Sequence, residues 1–141
     1  SAPTNTVFSD DNDYAHDASD NMVAYCFHSV EGYSKVGSYT GNGNPDGAFV
    51  YTGFRPAFVL TKSITASSAW RINDAARNPF NGVDGSLFPS TSADEDTGTV
   101  RMDFLSNGFK LRVGSGSHPN ASTTYLYLAF AESPFKFANA R

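Results

Sequence analysis

The punctuation of this chain constrains its fold more than any other feature. Its apolar runs are short and rich in aromatic and β-branched residues. Gly, Pro, Asn, Asp and Ser break them at close intervals. No window sustains the i, i+3, i+4 apolar spacing of an amphipathic helix. Short strands separated by turn residues predict an all-β architecture, an antiparallel β-sandwich. The 141 residues suit one domain around one core.

The pattern predicts a buried strand over 21–29 and short strands over 35–40 and 48–51. A strong strand follows over 57–63. The 69–74 segment centres on Trp70 and Ile72, whose alternation reads as burial. Residues 100–105 and 108–113 read as a hairpin through Ser106-Asn107-Gly108, because Asn-Gly suits the tight turns between paired strands. The last strand covers 123–131. Two regions carry little strand signal. Residues 1–20 are polar and Asp-rich, and read as an N-terminal arm or edge segment before a single sandwich domain over 21–141. Residues 75–99 read as a long loop, a class of segment that is often functional or mobile.

Charge and composition exclude several functions. The net charge is −4 without a Lys/Arg cluster, so counterion-release binding to nucleic acid is not expected. No apolar run is long enough for a membrane-spanning helix. Aromatic residues make up 14% of the chain, which is the composition of a folding sequence rather than a disordered one. Cys26 is the only cysteine, so no internal disulfide forms, and its place in the run Met22 to Phe27 reads as a buried small hydrophobe.

Site chemistry is sparse. The Gly41 to Gly47 segment lacks the Gly-Lys-Ser/Thr ending of a phosphate loop. It reads as a long turn, or, through Asn42, Asn44 and Asp46, as a calcium or sugar loop; with Tyr39 and Phe80 these form the candidate ligand set. Asp10, Asp11 and Asp13 are the candidate metal ligands, with calcium the one cofactor weighed, although a solvated acidic face is the simpler reading. His16, His28 and His118 show no zinc-binding spacing, and no Gly-x-Ser-x-Gly elbow occurs. Glu31, Glu95 and Glu132 are the only glutamates, and a glycosidase pair is the most plausible enzyme reading among them. No catalytic residue is assigned. Gly53, Arg55, Pro56, Asn107 and Gly108 read as structural turn residues, with Arg55 expected to pair with a carboxylate such as Glu132.

One internal echo stands out. Val23-Ala24-Tyr25-Cys26-Phe27-His28-Ser29-Val30-Glu31-Gly32-Tyr33 parallels Tyr125-Leu126-Tyr127-Leu128-Ala129-Phe130-Ala131-Glu132-Ser133-Pro134-Phe135. It fits either convergent strand-and-turn chemistry or a closing strand left from a preceding similar unit.

The long block from Gly37 through Gly53-Phe54-Arg55-Pro56 to Lys62 resembles a domain found repeatedly in tail and other structural proteins of tailed phages, especially marine ones. There it often follows a concanavalin A-like, laminin-G-like sandwich. Val23 to Phe27, Phe104 to Arg112 and Tyr125 to Phe135 extend the resemblance over roughly residues 21–137. The resemblance implies a jelly-roll or concanavalin-like sandwich in a virion protein, at the particle surface or tail, with no catalytic residues. The expected function is non-enzymatic: host adhesion or glycan binding, with a purely structural decoration or oligomerisation module as the alternative and a glycan-degrading enzyme as a distant third. Expected partners are other virion proteins, a host-surface glycan and a second copy of the chain, the last through the Phe135-Lys136-Phe137 tail.

Overall fold

The computed structural model describes residues 23–114 and 119–134. The arm with Asp10, Asp11, Asp13 and His16, the Ser115 to His118 turn and the Phe135-Lys136-Phe137 tail lie outside those residues.

Among the described residues there are seven strands and no helix. They are β1 (Ser34–Thr40), β2 (Phe49–Tyr51), β3 (Pro56–Ser63), β4 (Arg71–Asp74), β5 (Met102–Leu105), β6 (Gly108–Leu111) and β7 (Thr124–Ala131). A four-stranded sheet has the order β1-β7-β3-β4 and a three-stranded sheet the order β2-β6-β5. Every strand pairing is antiparallel. The protein is an all-β sandwich, as the punctuation implied.

The two sheets meet through aromatic side chains. Tyr39, Tyr125, Tyr127 and Val59 come from the larger sheet, and Phe104, Phe109, Met102 and Leu111 from the smaller; all are buried. Phe109 bridges the layers, edge-on to Tyr39 at 5.9 Å and to Tyr127 at 5.6 Å. Tyr39 and Tyr125 face each other in register and stack at 5.2 Å. Rings of this size bury much apolar area, and edge-to-face pairs add to it, so a few short strands suffice.

The turns follow local chemistry, with one adjustment. The β5–β6 turn is the pair Ser106-Asn107, because Leu105 already pairs with Gly108. Gly108 therefore lies in the strand. A Cβ there would stand 2.1 Å from the Val50 carbonyl oxygen, so only glycine lets β2 approach. Gly53 has φ +88°, a conformation L side chains resist, and its N–H donates to the Asn107 carbonyl at 3.1 Å.

Two burial expectations fail. Residues 23–29 form no strand, and Val23, Tyr25, Cys26 and Phe27 are exposed. The segment touches the edge of β1 only near its C-terminal end. Val30 exchanges main-chain bonds with Ser34 at 3.0 and 2.9 Å, and the Ser29 hydroxyl accepts from the Val36 N–H at 3.0 Å. A side chain there occupies a bonding position that a paired strand would need, so the segment leaves the sheet. Trp70 is exposed and Ile72 half-buried, whereas Asn73 is fully buried. Asn73 donates to the Gly85 carbonyl at 2.8 Å and the Ser86 hydroxyl at 2.9 Å, so the inward position of β4 is polar because it holds the next segment.

That segment is the long loop. It contains no named strand, yet it closes both sheets. Leu87 exchanges bonds with Ile72 on β4 at 2.9 and 3.0 Å, and Val83 donates to Met102 on β5 at 2.8 Å. Free edges invite pairing with other chains, and this strap covers two of them.

Candidate functional site

The sequence-derived ligand set is not brought together. Tyr39 lies in the core, its hydroxyl donating to the Pro119 carbonyl at 2.8 Å. Burial first, and the neighbouring Tyr125 second, push its pKa well above the ordinary tyrosine value. Asn42, Asn44 and Asp46 sit beyond the end of β1. Phe80 is exposed at the opposite end, beside Asn81, whose side chain pairs with Phe104 at the end of β5.

The 41–47 loop spends its polar atoms on itself. Asn42 Oδ1 accepts from the Asn44 N–H and Asn44 Oδ1 from the Asp46 N–H, both at 2.9 Å. Buried Asn120 organises the loop: its amide nitrogen donates to Asn42 Oδ1, the Asn44 carbonyl and the Val113 carbonyl, and its oxygen accepts from the Asn42 N–H. Asp46 pairs with Lys110 at 2.7 Å; that hydrogen bond, then the charge, lowers its pKa. This is the bonding of a structural turn.

Glu95 and Asp96 in the long loop are likewise engaged. Asp96 Oδ2 receives Arg101 Nη2 at 2.7 Å and Arg71 Nη1 at 3.1 Å, and Glu95 pairs with Arg77 at 3.3 Å. Among the described residues no three His, Cys, Asp or Glu side chains gather to hold a metal ion. Glu132 is paired with Arg55 at 2.8 Å.

The most pronounced surface feature lies on the outer face of the four-stranded sheet. Cross-strand registers place Val36, Leu128, Leu60 and Ile72 in one row and Leu126 beside Lys62 in the next. Residues directly opposite on paired strands share a face, so these side chains point away from the core. Of these, Val36, Leu60, Leu126 and Leu128 floor a groove of about 310 Å³ whose walls are Tyr25 and Phe27 on one side and Trp70 on the other. Phe130 on the same face of β7 stands edge-on to Phe27 at 6.0 Å and to Tyr33 at 5.7 Å. Motif reading passes over this face, but the signal was present: in β7, Tyr125, Tyr127 and Ala129 fill one face while Leu126, Leu128 and Phe130 fill the other. A strand apolar on both faces needs cover on both.

A second, polar groove of about 250 Å³ lies where Ser29, Glu31 and Lys35 face Tyr51, Thr52 and Gly53. The Tyr51 ring is exposed.

Two antiparallel sheets over an aromatic core, one with an apolar outer face left uncovered among the described residues, define a β-sandwich domain. Residues 1–134 match the family described as Domain of unknown function (DUF7483), and the chain belongs to that family. No curated protein and no solved structure matches it.

Proposed function

We propose that this domain is a non-enzymatic structural module of a tailed-phage particle, joined to other protein surfaces through the outer face of its four-stranded sheet. One observation carries the reading: Tyr25, Phe27, Val36, Leu126 and Trp70 are exposed together around a groove with an apolar floor. Contiguous apolar surface of this kind marks protein contacts. A sugar site needs convergent polar groups, which this groove does not offer. The resemblance to phage tail and structural proteins supports the particle context. Cross-linking mass spectrometry of isolated particles tests the proposal: links from Lys62, beside Leu126 on this face, to other virion proteins are expected. Recovery of particles without the chain, or links confined to loops far from this face, overturns it.

Host adhesion is the second reading, and the groove beside Tyr51 favours it. An exposed ring next to Glu31, Lys35 and Ser29 offers a stacking surface with hydrogen-bonding partners, the combination that sugars require. Glycan-array binding that disappears in Tyr51→Ala would support this reading, and absence of binding to host cells and glycans would remove it.

A further inference from the structure

We infer that the partner on the outer sheet face is a second copy of this chain, docked about a two-fold axis; the inference rests on the protein-contact reading above. The first argument is area. Exposure is 74% at Val23, 82% at Tyr25, 55% at Phe27, 39% at Val36, 39% at Trp70 and 46% at Leu126. Side chains of these sizes leave roughly 600 Å² of apolar surface on one molecule. Two copies meeting face to face would bury about 1,200 Å², where specific interfaces begin.

The second argument is shape. Exposed Tyr25 and Phe27 wall the groove floored by Leu60, Leu126 and Leu128, so their two rings stand as a ridge along one side of it. A two-fold interface brings the same patch of each copy together, so a ridge next to a groove is self-complementary: each ridge enters the other groove.

The third argument is composition. The groove is lined by aromatic and aliphatic side chains, and Lys62 beside Leu126 turns its ammonium to the Ser63 carbonyl at 3.0 Å. Depletion of charge at the centre and enrichment in Tyr, Trp and Phe is the composition of a protein interface. Val30 and Ser29 occupy the outer main-chain bonding positions of β1 at Ser34 and Val36, so the first half of that edge is closed to strand pairing. The apolar sheet face is the larger surface left for a face-to-face contact.

Sedimentation velocity of the full chain between about 1 and 200 μM decides the matter, since an interface near the lower size limit gives a dissociation constant on the order of micromolar. The mass is expected to double across that range. Leu126→Glu, placed beside Lys62, and Tyr25→Ser, at a largely exposed position, are expected to stay monomeric with unchanged melting, while Phe80→Ser still dimerises. A wild-type chain that is monomeric throughout overturns the inference. Dimerisation that survives both groove variants also overturns it. A monomer that binds vesicles of mixed anionic lipid through the same face overturns it in favour of a membrane surface. A monomer whose particle cross-links still run from Lys62 to a different virion protein overturns self-pairing alone and leaves the assembly reading standing.

Discussion

Arg55 joins the turn before β3 to the end of β7 through Glu132. Its Nε donates to Glu132 Oε2 at 2.8 Å, its carbonyl accepts the Glu132 N–H at 2.9 Å, and its Nη1 donates to the Phe104 carbonyl of the other sheet at 2.6 Å. One side chain thus ties both layers at one end of the sandwich. The carboxylate partner is half-exposed, so Glu132→Gln should cost less than about 1 kcal/mol. Arg55→Ala also removes one of two side-chain donors to the Phe104 carbonyl, Asn81 Nδ2 at 2.9 Å being the other, and should cost about 1 kcal/mol. Urea denaturation of both variants checks the ranking; equal costs would show that the bond to Phe104 contributes nothing.

Asn120 is the organiser of the opposite end. Fully buried, it serves two stretches of chain, 42–44 and 113. Asn120→Ala leaves the buried Val113 carbonyl and the part-buried partners at Asn42 and Asn44 without its amide and should destabilise the domain by about 2 kcal/mol. Asn44→Ala, at an exposed position, should cost well under 1 kcal/mol, on the order of a surface substitution. Thermal melts of the two variants side by side test the contrast.

Acid should loosen the strap before it affects the core. The hydrogen bond from Arg71 first, and that from Arg101 in addition, hold Asp96 below the ordinary carboxylate range against the opposing effect of burial. Burial pulls Asp74 upward, but the Arg77 guanidinium and backbone N–H outweigh it and its pKa is also lowered. A carboxylate with a depressed folded pKa contributes stability above its unfolded value of about 4 and loses it as pH falls through the folded value. Unfolding free energy should therefore drop below about pH 4. Asp96→Asn should cost about 2 kcal/mol at neutral pH, because Arg101 and Arg71 lose their shared partner. It should also flatten the acid limb, and a limb as steep as wild type would refute the assignment to Asp96.

Alkali should act through the stacked tyrosines. Tyr39 is held neutral by its surroundings, with its pKa well above the ordinary value of about 10. Stability from such a group is complete below the unfolded pKa and is lost as pH rises beyond it. Tyr39→Phe should lower stability by about 1–2 kcal/mol at neutral pH, through the unmet Pro119 carbonyl. It should make the alkaline limb shallower, which denaturation curves at pH 8 to 11, roughly spanning the ordinary tyrosine value, read directly.

Much of this protein was legible in its residues. Period-two patterning located all seven strands to within a few positions, because alternation and turn residues are local properties of the chain. The Arg55–Glu132 pair was also anticipated, since an Arg held in a Gly-Phe-Arg-Pro turn needs a carboxylate within reach. Hydropathy did not reveal which sides of those strands would be covered. Val23 to Phe27 reads like β7 but lacks its ladder, because strand pairing depends on which edges remain free after the chain has folded. Asn42, Asn44 and Asp46 looked like ligands, yet their oxygens are taken up by the turn and by Asn120 and Lys110, distant in sequence. Local patterning was enough to specify an aromatic-cored β-sandwich with defined turns. That Leu60, Leu126 and Leu128 share a face left uncovered among the described residues follows from the fold, because the β1-β7-β3-β4 order unites segments far apart along the chain.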